Sequence, residues 1–325
     1  MKLPRRQFLR LAAGTVAVPA LSHIASAQSY PTRPVRVIVG FAPGGAPDII
    51  ARLLGPTLSE RLGQSFFVEN RTGAGSNIAT EAVVNAPPDG YTLLLVSPPN
   101  FVNATLYERL NYDFLRDIAP VAALVRVPNV MEVHPSVPAK TVPEFIAYAK
   151  ANPDKLNMAS GGNGTSVHMA GELFKMMTGI KMPHVPYRGV GASYPDLLAG
   201  QVQVMFDTTP GSIEFIRSGR LRALGLAALT RSPVLPDLPT IGEFVPGYES
   251  SALHGVGAPR NTPVEIIDKL NRAFNAALAE PAIKARLADM SATVLAGSPT
   301  EFGRLMADET EKWAKVVKFA GAKAD

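Results

Sequence analysis

The sequence predicts an α/β protein whose sheets are mostly parallel. β-rich apolar runs alternate with stretches of helical periodicity, glycine-rich turns repeatedly separate a run from the helix after it, and hydrophobic residues make up 46% of the chain. No internal repeat and no low-complexity linker interrupts the alternation, and the length suggests about two domains.

The first element is not part of that pattern. MKLPRRQFLR opens with Arg5-Arg6 followed by Phe8-Leu9, and LAAGTVAVPAL is a short apolar core broken by Pro19. Ala25-Ser26-Ala27 then fits a small-residue cleavage site. Residues 1–27 therefore read as a signal peptide cleaved after Ala27, the paired arginines pointing to the twin-arginine route, and the expected location is the periplasm. Removing Lys2, Arg5, Arg6 and Arg10, with no acid in the segment, lowers the formal charge from +5 to +1. The concentrated basic face that nucleic-acid binding needs is not found in what remains. No later apolar run is long enough to span a bilayer, so the mature chain should not insert into a membrane. The absence of cysteine excludes disulfides, a lipid-anchored cysteine and thiol catalysis.

The repeating unit starts at VRVIVGF (35–41), a β-rich run followed by the turn PGGAPD (43–48). Ile49, Ile50, Leu53, Leu54, Leu58 and Leu62 then fall near helical spacing. The unit returns as Phe66-Phe67-Val68, RTGAGSN and the helical IATEAVVNA, after which PPDG (87–90) turns into the strand TLLLVS. It returns again as KLNMAS, GGNGTS and VHMAGELFKMMTG. Thr141-Val-Pro-Glu144, Thr262-Pro-Val-Glu265 and Ser298-Pro-Thr-Glu301 have the spacing of capping boxes. After Glu301 the chain reads as helix through Trp313 and Val317, with Glu309, Glu311, Lys312, Lys315 and Lys318 on a charged, solvated face.

A helix begins with backbone N–H groups that lack internal partners and carry partial positive charge, so a glycine turn there admits an oxyanion close to the main chain. The ordinary structural reading of Gly44, Gly45, Gly161, Gly162 and Gly164 is that they allow positive φ in tight turns; three loops of one design favour the anion. None of the loops carries the lysine of a Walker A motif, and Gly73-Ala74-Gly75 meets Ile78 where a dinucleotide fingerprint needs its third glycine. His134, His168, His184 and His254 have no metal-ligand spacing, and no Gly-x-Ser-x-Gly elbow supplies a nucleophile. Asp48, Asp207 and Asp237 are available as acids or bases, but caps and turns account for each. No catalytic residue, metal or cofactor is expected.

Over nearly its whole mature length the chain resembles the periplasmic substrate-binding proteins of tripartite tricarboxylate transporters, the Bug family. The resemblance runs in order through YPTRPVRVIVGFAPGGAPDIIAR, LGQSFFVENRTGAGSNIAT, PPDGYTLLL and HPSVPAKTVPEFIAYAKANPDKLNMASGGNGTSVHMAGELF, then HVPYRGVGASYPDLLAGQVQVMFD, SGRLRALGLAALTRSPVLPDLPTIGE, PGYES and GAPRNTPVEIIDKLN. The chain departs from the pattern at PGYESSALHGVGAP, where the family places an aromatic residue near the position of His254.

The resemblance implies a two-lobed periplasmic-binding-protein fold of the Venus-flytrap type II class, each lobe a mostly parallel sheet flanked by helices. Residues 29–125 and 252–325 would form lobe one and residues 126–251 lobe two. The loops Phe41 to Asp48 and Ser160 to Ser166 would face the cleft. Pro43-Gly44-Gly45 would then offer main-chain donors, partly through water, to one carboxylate of a small organic acid. Ser160, Gly161, Gly162, Gly164, Thr165 and Ser166 would do so from the opposite lobe. His168 reads as an orienting hydrogen-bond partner or as structure. Asp207 is either a partner for a ligand ammonium or hydroxyl or a turn cap, while Tyr187 and Ser97 are open between ligand contact and structure. The implied partners are a small organic acid and the permease subunits of a tripartite transporter, with the receptor a monomer. A ligand-sensing subunit for a membrane kinase, or an exported enzyme on the same scaffold, would use the same pocket.

Overall fold

The structure, a computed structural model, describes residues 30–324; the signal-peptide reading of residues 1–27 lies outside them. In chain order the first elements are β1 (Val35–Val39), α1 (Ala46–Leu62), β2 (Phe66–Asn70), α2 (Asn77–Val84), β3 (Thr92–Val96), α3 (Pro98–Leu106) and α4 (Phe114–Asp117). They are followed by β4 (Ile118–Val133), α5 (Val142–Ala151), β5 (Met158–Ser160), α6 (Ser166–Thr178), β6 (His184–Pro186) and α7 (Tyr194–Leu198). Next come β7 (Val204–Thr208), α8 (Thr209–Arg217), β8 (Arg222–Ala227) and β9 (Ser251–Pro259). α9 (Val264–Leu278), α10 (Pro281–Asp289), β10 (Thr293–Val294) and α11 (Pro299–Ala320) complete the chain.

The strands run in the order β2-β1-β3-β9-β4-β7-β5-β6, with β10 and β8 also pairing with β4. The parallel expectation holds for β2-β1-β3 and for β6-β5-β7, in which the predicted strand–loop–helix units supply β1, β2 and β5. It does not hold in the middle, where β4 is antiparallel to β9, β7, β8 and β10 and β9 is antiparallel to β3. The α/β sheet is therefore mixed, because β4 and β9 carry the chain in opposite directions past each other.

β4 is long enough to belong to two sheets. Its residues from Ile118 to Pro128 pair with β9, and those from Asn129 to Val133 pair with β7 and β8. IAPVAALVRVPNVMEV is nearly continuously apolar, as a strand covered on both faces must be. Pro128 lacks a backbone donor at the switch, and Asn129, wholly buried, closes it by donating its side-chain amide to the Phe206 carbonyl at 2.6 Å.

One apolar cluster packs α1, α9 and α10 on the first sheet through Ile50, Leu54, Leu58, Leu270, Phe274 and Leu287. A larger one lies under α3, α6 and α11, holding Phe101, Phe145, Phe174, Phe206, Phe302 and Trp313. α11 packs against both α3 and α6. The solvated-face expectation fails there for Glu309, which is buried: it accepts from Trp313 Nε1 at 2.7 Å and pairs with Arg126 of β4 at 2.9 Å. Neighbouring Lys312 pairs with Glu249 at 2.7 Å. The capping box is formed at Ser298; at the start of α5 Thr141 caps the Glu144 N–H at 3.3 Å, but the Glu144 carboxylate reaches back to the Lys140 N–H at 2.8 Å and not to Thr141. At α9 Thr262 instead donates back to the Pro259 carbonyl at 2.7 Å, because the N-cap position is taken by Pro263.

Candidate ligand-binding site

Four helices begin at one cavity of about 390 Å³. Their N-cap residues, Gly45 for α1, Ser97 for α3, Thr165 for α6 and Thr208 for α8, all line it. The caps follow from local sequence: Pro47, Pro98 and Pro210 sit in first turns, where a missing N–H costs nothing. Ser97 and Thr165 cap with their own side chains, Thr165 accepting from His168 N–H at 3.3 Å. Gly45 and Thr208 provide no side-chain cap, which leaves the first turns of α1 and α8 open towards the cavity. No lining residue is Lys or Arg, so the positive potential there comes from backbone N–H groups and helix dipoles.

Of the residues expected at the site, Phe41, Gly44, Gly45, Ser97, Thr165, Ser166 and Asp207 line the cavity. The others do not line it. Asp48 is buried and turned into the loop, accepting from the Gly44 N–H at 2.9 Å, from Asn70 Nδ2 at 2.8 Å and from Arg52 Nε at 3.0 Å. Burial alone would raise its pKa, but the Arg52, Gly44 and Asn70 hydrogen bonds hold it below the usual carboxylate range. Asp48 thus braces the Pro43-Gly44-Gly45 turn, whose Gly44 has φ +90°, and Pro43 itself does not reach the cavity.

The second loop is wired from beneath. The Ser160 hydroxyl is within 2.6 Å of His184 Nε2 and accepts from the Gly162 N–H at 3.1 Å. His168 accepts from the Gly164 N–H through Nδ1 at 3.2 Å and reaches Glu172 with Nε2 at 3.5 Å. The two imidazoles stack with centroids 3.8 Å apart. Burial and then the neighbouring His168 push His184 down to about 3, so it is neutral. Gly161 packs against Val190, and Gly164, at φ +75°, packs against Leu106 of α3, which leaves neither room for a side chain. Tyr187 points to Asp196, donating its hydroxyl at 2.7 Å.

Several lining residues were not foreseen: Pro98 and Pro99 from α3, Val190 and Gly191, Tyr194 at the start of α7, and Pro210 and Gly211 of α8. The helix start Thr208-Thr209-Pro210 was legible as a cap signal; the inward position of Tyr194 was not, since it depends on where α7 docks. His254 lines the wall from β9, its Nδ1 3.4 Å from the Ser97 hydroxyl and its Nε2 without a hydrogen-bond partner. Burial pushes it down to about 4, so it too is neutral. Among the described residues no group of three or more His, Asp or Glu is placed to hold a metal, and no helix is long and apolar enough to cross a membrane.

Comparison with known proteins places this geometry in a lineage. Residues 50–322 match the family model described as tripartite tricarboxylate transporter family receptor. The chain is 38% identical over 311 residues to protein BugT of Bordetella pertussis, covering 95% of each. It is similar to the solved structure of R. palustris Rpa4515 with adipate, with a TM-score of 0.82 and 38% identity over 90% of this chain and 99% of that one. It is similar also to MatC from Rhodopseudomonas palustris with bound malate, with a TM-score of 0.79 and 34% identity over 89% of this chain and 100% of that one. The chain belongs to the tripartite tricarboxylate transporter receptor family, a family of periplasmic solute-binding proteins.

Proposed function

We propose that this protein is an exported receptor that holds a small organic carboxylate in the cavity and passes it to the membrane subunits of a tripartite transporter. The observation that carries the reading is the convergence of four helix starts on a cavity lined by no Lys or Arg. Such a site favours an anion through main-chain donors and dipoles, at a modest Coulomb cost when the ligand leaves. The uncapped first turn of α1 takes one carboxylate, and Thr165, Ser166 and the start of α8 take the ligand from the other side. Related chains solved with adipate and with malate support an organic acid as the ligand class.

In this reading residues 29–125 with 252–325 form one lobe and residues 126–251 the other, and the cavity opens and closes between them. The partner change of β4 between Pro128 and Asn129, and the start of β9 at Ser251, support a two-strand hinge. The chain is exported and its signal peptide cleaved after Ala27, and the receptor works as a monomer that performs no chemistry on its ligand. The test is calorimetric titration of the mature chain with succinate, malate, adipate and citrate. At about 100 times its dissociation constant a true ligand adds roughly 2.7 kcal/mol of stability, visible as a shift in melting temperature. Turnover of a bound acid, or silence from the whole set on ligand-free folded protein, would overturn the reading.

A further inference from the structure

The cavity has no lining Lys or Arg, yet it has one lining acid, Asp207, at the end of β7. Behind it stands a second: Glu132 of β4 is fully buried and neither of its carboxyl oxygens has a hydrogen-bond partner. In the β4–β7 ladder Asp207 lies opposite Val130 and Glu132 opposite Met205, so the two acids share one face of the sheet. Two carboxylates in one dry site do not both ionise. Glu132 is raised well above the usual range by burial and by the Asp207 charge, and the charge of the pair therefore rests on Asp207.

Donors already aim at Asp207. The Thr208 N–H reaches Oδ1 at 2.7 Å, the Tyr194 hydroxyl donates to Oδ2, and the Ser212 hydroxyl lies 3.5 Å from Oδ2. The Thr208 hydroxyl also lies 3.5 Å from Oδ1; a carboxylate has about four acceptor sites, and the two contacts at 3.5 Å are at the limit of hydrogen bonding and yield to a closer donor from a ligand. The other titratable groups facing it are Glu132 from β4, Tyr194 from α7 and, across the cavity, His254 from β9. All three are uncharged at neutral pH: burial raises Glu132 and Tyr194, with the Asp207 charge adding to both, and lowers His254.

We propose that Asp207, backed by the buried Glu132, selects an acid that carries a hydroxyl or ammonium beside its carboxylate, a hydroxy acid or an amino acid, over the plain dicarboxylate of the same length. The inference rests on the carboxylate-receptor reading above and narrows it. The ligand donor binds Asp207, while its carboxylate binds the helix starts. A ligand donor replaces the two marginal hydroxyl contacts with a close one, whereas a bare carboxylate brought to Asp207 meets repulsion that no cation offsets.

The experiment compares matched acids on the mature protein by calorimetry: succinate, malate and aspartate, then glutarate, 2-hydroxyglutarate and glutamate, with adipate as a further plain acid. At about pH 7.5 the hydroxy or amino member should bind at least ~10-fold tighter than its plain counterpart. Asp207→Asn should shrink an ammonium advantage to within about 3-fold, with circular dichroism verifying the fold. Should that variant not fold, the unaltered protein decides: Asp207 is raised to about 6 by burial, so an ammonium advantage should fade when the titration is repeated near pH 5. A plain dicarboxylate binding as tightly as its partners, or a ratio unmoved by both the variant and pH, overturns this inference and leaves the receptor reading standing. Silence from every acid overturns both.

Discussion

The two loops that meet at the cavity solve the same problem differently. The β1–α1 loop keeps its helix start open: Gly45 has no capping side chain, and one acid from the first turn of α1, Asp48, braces the turn through Gly44. The β5–α6 loop uses its own polar groups, with Thr165 capping α6 and Ser160 and His168 fixing the glycines. The Gly162, Gly164 and His168 N–H groups are satisfied internally and are not available to a ligand, so α6 presents Thr165 and Ser166 from a rigid loop whereas α1 keeps its turn open. Glycine therefore has different work in each. Gly45 has ordinary extended geometry and open space, whereas Gly164 is pinned by positive φ and by Leu106.

That contrast can be broken most severely at Gly164. Gly164→Val places a branched side chain at φ +75° against a Leu106 methyl 2.7 Å away, and should cost about 2–4 kcal/mol of stability, measured by urea unfolding. A loss below ~0.5 kcal/mol would mean the loop is not rigid. Gly45→Val is the converse: nothing lies within 3.8 Å of its added Cβ, so melting should hardly move while affinity for the best acid falls at least ~100-fold by titration. Retained binding would remove α1 from the site.

Asp48→Ala sharpens the comparison at smaller scale. Losing the brace of Gly44, Asn70 and Arg52 should weaken binding about 5- to 10-fold and stability by about 1–2 kcal/mol. A variant that loses stability but no affinity would show that the open turn holds its shape alone.

A further effect is a pH dependence. His184 falls from its ordinary 6.5 to about 3 on folding, so the unfolded chain takes up a proton that the folded one refuses. Its contribution is complete above about pH 6.5 and is lost as pH falls towards 3; His254, at about 4, acts in the same direction. Asp207, raised to about 6, acts oppositely and costs stability as pH rises towards that value. His184→Gln should therefore flatten the loss of stability between about pH 6.5 and 4.5, read from urea midpoints. An unchanged pH profile would deny the imidazole stack its part in holding the second loop.

Local sequence carried much of this fold. VRVIV, the Pro-Gly-Gly turn and the periodic apolar residues after it encode β1, the open loop and α1, because period, turn chemistry and proline at a first helical turn are properties of neighbouring residues. The same holds for α6 with its Thr165 cap and for α11 with Ser298 and Glu301. The mixed sheet was not legible, since no local signal says that β4 runs against both β9 and β7. Nor was the burial of Glu309, whose partner Arg126 lies far away in sequence.

Within the candidate site the division is the same. Sequence alone determined that glycine loops open helices and that no cysteine, metal motif or Walker lysine accompanies them. Only the tertiary structure decided which donors stay free. Asn70 meets Asp48, His184 meets Ser160, and Glu132 comes to stand behind Asp207 through pairings between residues distant in the chain. The reason is physical: a helix start is a local event, whereas the satisfaction of a buried polar group depends on whatever the fold brings to it.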